Sequence, residues 1–169
     1  MTKTETIYAK FETLEDQVAH CYFLFHERFV GNERLAKFWL ETGVHEVQHA
    51  AMLRFCRQQG MMVDTVIHPR IIREVEDLLE TVKDIARDPE VSIDEAFFAS
   101  LLIERSELED VYEKLTGILE KDHRLLFAAI RSNLHEHHVA FAEAAKKFVG
   151  SPRLIELFSR LAQPALPTN

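Results

Sequence analysis

The sequence predicts an all-α fold built on four long helices, and three observations favour it. Five Gly and five Pro among 169 residues are too few for the turns of an all-β protein. A content of 47% apolar and 28% charged residues is typical of a globular chain. Apolar residues recur at helical spacing through long segments that few turn signals interrupt. The length is close to that of one domain, so we expect residues 1–169 to form a single domain.

Turn and cap signals divide the chain into helices. They fall at Gly31-Asn32, at Gly60, at Asp88-Pro89, at the capping box from Ser92 to Glu95, at Lys121-Asp122 and at Gly150-Ser151-Pro152. These signals predict helices at roughly 7–30, 33–59, 69–87, 93–120, 123–149 and 152–162.

The lengths of the links predict how the helices are connected. Short links join the first helix to the second and the fourth predicted helix to the fifth, so each pair is expected to be antiparallel. Residues 60–92 are long enough to run back along a bundle and carry an amphipathic helix of their own. We therefore expect a four-helix bundle with a helical crossover over 60–92 and a short C-terminal helix over 152–162.

Charge and hydropathy exclude several classes of function. The chain has 20 Lys and Arg against 28 Asp and Glu, and this net charge of −8 argues against nucleic acid or an anionic membrane as the main partner. No apolar run approaches the ~20 residues that span a bilayer, and the first residues do not form a signal peptide, so we expect a cytoplasmic protein. Cys21 and Cys56 are isolated, which excludes a four-thiolate metal site. Nine His in an acidic chain point to metal or proton chemistry.

Carboxylates and imidazoles occupy the apolar stripes of all four long helices, where a buried group without a partner is costly. The candidate ligands are Glu15 in the first predicted helix, Glu46 and His49 in the second, Glu104 and Glu107 in the fourth, and His135 and His138 in the fifth. An i, i+3 spacing puts two side chains on one face within one turn. Oxygen and nitrogen ligands of this kind suit Fe(II) or Mn(II), with Zn(II) as a competitor. We expect a site for two metal ions, iron first, with zinc or manganese as alternatives.

The residues next to several of these candidate ligands follow the sequence pattern of a known family. Tyr22 follows Glu15 by seven residues, the second helix contains Glu46-Val47-Gln48-His49-Ala50, and Tyr112 follows Glu104-Arg105-Ser106-Glu107. In order and spacing these motifs resemble the rubrerythrin family of the ferritin-like superfamily, over residues ~8–148. The resemblance implies a ferritin-like bundle with a di-iron carboxylate site that reduces hydrogen peroxide.

The chain departs from the family pattern in two places. The last core helix of the family has Glu-x-x-His, whereas this chain has His135-Glu136-His137-His138. Either His135 is a ligand, or the helix is rotated by ~100° so that Glu136 participates. We favour His135 with His138, and we expect His137 to face outward. The rubredoxin-like domain with its two C-x-x-C pairs is missing from this sequence, so any electron donor must be a separate protein.

These observations leave three functions open. The first is a rubrerythrin-like, peroxide-reducing oxidoreductase. The second is an iron-binding or ferroxidase-type protein without peroxide turnover. The third is a ferritin-like bundle with a zinc or vacant site that acts in assembly. The sequence favours the first two because the ligand types are present on the buried stripes.

The apolar surface also predicts self-association. The last helix carries a wide apolar stripe of Leu154, Ile155, Leu157, Phe158 and Leu161. A free terminal helix would not leave such a stripe in water. Further apolar residues on the outer faces are Phe23, Leu40 and Leu102. We expect a homodimer built on helix faces, with the last helix contributing to the interface or bracing it.

Overall fold

The computed structural model describes residues 2–64, 66–116 and 124–163; of these, it describes only the backbone at positions 107, 109, 110, 113 and 124–134. All the secondary structure in these segments is helical, so the all-α prediction is confirmed. The helices are α1 (Lys3–Arg28), α2 (Glu33–Gln58), α3 (Pro69–Arg87), α4 (Ile93–Glu104), α5 (Glu107–Thr116), α6 (Arg124–Phe148) and α7 (Pro152–Leu161).

The beginnings of the helices follow from local hydrogen bonding. The capping box expected from Ser92 to Glu95 opens α4. A second capping box, which the sequence analysis missed, starts α1 at Lys3 instead of near residue 7. Thr2 Oγ1 accepts a hydrogen bond from the Glu5 backbone N–H at 3.1 Å, and Glu5 Oε2 accepts one from the Thr2 N–H at 2.6 Å. The pattern Thr-x-x-Glu was therefore a usable signal.

The predicted helix over 93–120 is interrupted at Arg105 and Ser106, which separate α4 from α5. The Ser106 N–H donates to the Ile103 carbonyl at 2.8 Å, a contact one residue tighter than in an α-helix. Ser106 Oγ accepts from the Leu108 N–H at 3.3 Å, so its hydroxyl competes with the helical pattern. The interruption directly follows Glu104. The predicted helix ends at 117–120 and the predicted start at 123 lie outside the described residues.

Among the described residues, the most extensive packing between two helices joins α1 and α2. Its buried centre is Trp39, whose ring stacks on Tyr22 at 5.8 Å and lies 5.1 Å from Phe25, between ring centroids. At the other end of the pair, Glu12 accepts from Arg54 at 2.7 Å and from Arg57 at 2.9 Å. The apolar core and this ion cluster together hold the two helices in one register.

The link between α2 and α4 contains α3, which packs on α1 and α4 through Val75, Leu79 and Val82. The amphipathic pattern expected for this segment is therefore used to bury one of its faces. Tyr8 ties the segment before α3 to the end of α5, because its hydroxyl donates to the Leu115 carbonyl at 2.6 Å and accepts from the Val63 N–H at 2.9 Å. The four-helix bundle and its crossover topology stay predictions.

The last helix, α7, packs on α4 and α6 of its own chain. Leu154 and Phe158 are buried. The Phe158 ring stacks on Phe141 at 5.3 Å and meets the edge of Phe97 at 5.7 Å. Part of the apolar stripe of α7 is thus covered without a second subunit. No helix in the described segments combines the length and the apolar character that crossing a membrane requires.

At Gly43, α2 packs directly against the Phe23 ring of α1. A Cβ atom at this position would lie 2.5 Å from Cε1 and 2.7 Å from Cδ1 of Phe23, closer than carbon atoms can pack. Glycine is therefore present in mid-helix, despite its cost of ~1 kcal/mol relative to alanine, because α1 leaves no room for a side chain. The contact lies one turn before Glu46, so it brings the two helices together near the expected ligands.

Candidate metal centre

Five carboxylate and imidazole side chains from four helices are buried in the described part of the protein. Each has at most 4% of its surface exposed, although carboxylates and imidazoles are costly to bury. They are Glu15 on α1, Glu46 and His49 on α2, Glu104 at the end of α4 and His137 on α6. Their potential ligand atoms form two groups, in each of which all atoms lie within 4.8 Å of one another.

The first group contains Glu15, Glu46 and His49. Glu46 and His49 are three residues apart on α2, so both point from one face of that helix. His49 Nδ1 lies 3.0 Å from Glu46 Oε2 and 3.9 Å from Glu15 Oε2. The close packing of α1 on α2 supplies the third member. Two carboxylates and one imidazole therefore surround one point between these helices.

The second group contains Glu46 again, together with Glu104 and His137. His137 Nε2 lies 3.3 Å from Glu46 Oε1 and 3.2 Å from Glu104 Oε2. This group also offers two carboxylates and one imidazole, supplied here by α2, α4 and α6.

Glu46 is the carboxylate that the two groups have in common. Its Oε2 atom faces His49 and its Oε1 atom faces His137, so its two oxygens belong to different groups. A carboxylate placed in this way can bind one cation through each oxygen. Each of the two groups could therefore hold a metal ion, and Glu46 belongs to both.

Aromatic side chains enclose the second group. The Tyr22 hydroxyl donates a 2.6 Å hydrogen bond to Glu104 Oε1 and is fully buried. Burial, with Glu104 and Glu46 nearby, raises the pKa of Tyr22 well above its ordinary value, so the hydroxyl keeps its proton. The Phe141 ring lies edge-on to His137, with 5.0 Å between ring centroids. Tyr22 thus fixes one oxygen of Glu104, and the Phe141 ring packs against His137.

The second oxygen of Glu104 points into the cluster. Among the described residues, Oε2 has no hydrogen-bond donor in bonding geometry. His137 Nε2 and His138 Nε2 lie 3.2 and 3.5 Å from this oxygen. Burial acts to raise the pKa of Glu104, but the two imidazoles outweigh it and hold the pKa well below its usual range. Glu104 is therefore ionised and presents a charged oxygen that a cation can take.

The structure corrects the assignment of the histidines on α6. His135 and Glu136 are exposed, whereas His137 is buried, so the expectation that His137 faces outward is wrong. Positions 135 and 137 differ by ~200° around a helix, and only one of them can face the core. His137 precedes Phe141 by four residues and Ala145 by eight, and all three are buried. That spacing was the available signal.

The structure buries some of the seven expected ligands in the cluster and leaves others at its edge or on the surface. The structure brings Glu15, Glu46, His49 and Glu104 together. His138 lies at the edge of the cluster, with 20% of its side chain exposed, and His135 lies on the surface. The side chain of Glu107 is outside the described residues.

His45 is a neighbour of the cluster that belongs to neither group of potential ligands. Its Nδ1 atom lies 3.3 Å from Nδ1 of His137, on the side of that ring opposite the carboxylates. His45 is half-buried. Burial, followed by the neighbouring His137, lowers the pKa of His45, so its imidazole is neutral near pH 7.

The donor set is chemically suited to divalent metal. Three buried carboxylates so close together repel one another, and cations between them would offset that repulsion. Oxygen and imidazole nitrogen ligands match the preferences of iron, manganese and zinc. The residues present therefore fit a site for divalent metal.

Comparison with known proteins adds no family: no protein-family model, no curated protein and no solved structure matches this chain. The resemblance to rubrerythrins stays a prediction.

Replacement of Glu46 by Gln tests whether the cluster opposes folding without metal. We expect metal-free E46Q to exceed the metal-free wild type in free energy of unfolding by about 1 kcal/mol, because the change removes one of three crowded charges. Chemical denaturation with a chelator present measures it. E156Q, at an exposed helix position, should change stability by less than about 0.5 kcal/mol. A clear loss of stability in E46Q would mean that the cluster is a structural ion network.

Proposed function

We propose that the chain is a rubrerythrin-like protein that holds two iron ions and reduces hydrogen peroxide with electrons from a separate donor protein. In this proposal the helices form a ferritin-like bundle, with α3 as the crossover between its two halves. The observation that carries the proposal is the position of Glu46, whose two oxygens face two different groups of ligands. A single metal or a structural ion pair does not require a carboxylate shared in this way.

Each metal position has three ligands in this arrangement. Glu15 and His49 complete the first position, and Glu104 and His137 complete the second, with Glu46 common to both. His138 Nε2 is close enough to Glu104 to join the second position through a small side-chain movement. When bound, two Fe(II) ions would supply the two electrons that, with two protons, convert hydrogen peroxide into two water molecules.

The side chains around the ligands have their own tasks. Tyr22 holds Glu104 by its hydrogen bond, so that one oxygen of this carboxylate is fixed while the other faces the metal. The Tyr112 ring covers His49, with 4.4 Å between ring centroids. Trp39 and Phe141 pack against Tyr22 and reduce access of water from that side.

The first test compares the iron content of two variants of α6, H137A and H135A. We expect the wild-type chain to bind two Fe(II) per chain under oxygen-free conditions, measured by elemental analysis after gel filtration. H137A removes an imidazole from the second position and should retain one ion, whereas H135A should retain two. The pair is well matched because the two positions lie on the same turn of α6 but differ in burial. Equal iron contents in the two variants would contradict the assignment of His137.

Peroxide chemistry separates the leading proposal from the ferroxidase alternative, which uses the same ligands. We expect one hydrogen peroxide molecule to oxidise both bound ions, and to do so faster than dioxygen, in stopped-flow mixing of iron-loaded protein. The iron content should stay at two per chain. Faster oxidation by dioxygen, with iron accumulating beyond two per chain, would favour the ferroxidase. Binding of zinc with no binding of iron would favour the role in assembly.

A second copy of the chain is the partner that we propose for α2. The buried face of α2 carries Trp39, Glu46 and Leu53, yet the opposite face is also apolar. Leu40, Val44, Val47 and Phe55 on that face are each 40–43% exposed, and Ala51 between them is exposed as well. Their spacing of four, three, four and four residues forms one stripe along the helix. A helix with two apolar faces typically packs against other segments on both of them.

Light scattering after size exclusion tests the homodimer. We expect twice the mass of one chain at micromolar concentration. V47E places a charge in the middle of the stripe and should give the mass of one chain, while V30E, at an exposed position outside the stripe, should stay dimeric. A wild-type protein of single-chain mass would contradict the proposal.

A further inference from the structure

We propose that His45 is a positioning residue for the metal centre: its Nδ1 accepts a hydrogen bond from Nδ1–H of His137 and thereby turns Nε2 of His137 toward the second metal position. This inference rests on the proposed function. It assigns a role to a residue outside the ligand groups, and it concerns one of the two metal positions only.

The geometry places His45 behind His137. Nε2 of His137 lies between the Glu46 and Glu104 oxygens, at 3.3 and 3.2 Å. The Nδ1 atom of the same ring lies 3.3 Å from His45 Nδ1, and the two ring centroids are 5.5 Å apart at an angle of 58°. One nitrogen of His137 therefore faces the ligand group, and the other faces His45.

The tautomer of His137 decides which of the two rings donates the hydrogen bond. A ring that binds metal through Nε2 must have its lone pair at that nitrogen, so its proton is on Nδ1. A proton on His137 Nδ1 needs an acceptor, and the His45 tautomer with its proton on Nε2 offers one at Nδ1, 3.3 Å away. Hydrogen-bond acceptors behind metal-bound histidines fix both the tautomer and the ring orientation.

The position of His45 in the chain supports the same role. His45 is the residue before Glu46 and lies one turn before His49, so it is attached to the helix that supplies ligands to both positions. Any tilt of α2 that moves Glu46 also moves the acceptor for His137. The hydrogen bond thus keeps His137 on α6 in register with the proposed ligands on α2, although the two helices are far apart in sequence.

Cobalt(II) titration of the chelator-treated full chain measures the affinity of each metal position. The visible spectrum of bound cobalt reports the ligand environment at each step of binding. We expect two equivalents in the wild type. H45A should weaken one equivalent by about 10- to 100-fold and leave the other within about threefold of the wild type. The weakened equivalent should be the one that H137A abolishes.

Two further variants separate positioning from a general structural effect. H45N restores an acceptor, since its Oδ1 takes the place of Nδ1, and should bind cobalt within about threefold of the wild type. H45F fills the same space without an acceptor and should behave like H45A, which keeps the test open if H45A folds poorly. H26A is the matched control, because His26 is another half-buried histidine whose Nδ1 contacts a backbone carbonyl, that of Ala36, at 2.8 Å. It should bind cobalt like the wild type.

The outcomes distinguish the inference from the function on which it rests. Normal binding of both equivalents in H45A and H45F would overturn the role of His45 and leave the two-metal site intact. Equal weakening of both equivalents, or failure of H45N to restore binding, would also overturn it. A wild-type chain that binds no cobalt, iron or zinc would overturn the proposed function itself, and the role of His45 with it.

Discussion

The burial of three carboxylates in two adjoining groups that share Glu46 is the constraint on which the rest of this structure depends. Glu15, Glu46 and Glu104 are almost completely removed from water, and each lies within ion-pair distance of at least one imidazole. Such a cluster is expensive to build from a chain that could have placed leucine at these positions. The cost is understandable if the cluster exists to hold cations, since a site optimised for ligand binding is commonly not optimised for stability.

Several features of the fold serve this cluster. Gly43 lets α2 approach α1 one turn before Glu46, because a side chain there would collide with Phe23. The interruption after Glu104 places a helix end next to the second ligand group. Tyr22 then holds the Glu104 carboxylate from behind. Rigid helices thus position the ligands, while hydrogen bonds set the direction of individual oxygens and nitrogens.

The sequence alone predicted most of the buried polar cluster because burial and spacing are linked on a helix. Glu15, Glu46, His49 and Glu104 each interrupt an apolar stripe, and the structure buries all four. The prediction failed on α6, where His135 and His137 are both flanked by possible stripe positions. The resemblance to rubrerythrins led us to predict that His135 faces inward. The spacing from Phe141 and Ala145 instead puts His137 on the buried side. In a run of three histidines within four residues, a rotation of the helix by half a turn exchanges the candidates.

The sequence itself determined the all-α class and the helix beginnings at residues 33, 69, 93 and 152, because helical periodicity and capping are local properties. It also predicted the burial of the four polar residues that interrupt clear apolar stripes. Tertiary structure decided what depends on contacts between distant segments. The rotation of α6, the two-sided sharing of Glu46 and the contact of His45 with His137 arise from packing of α2 against α6, and no pattern within either helix encodes them. The physical reason is that spacing fixes which face of a helix a residue occupies, whereas only the neighbouring helices fix what that face meets.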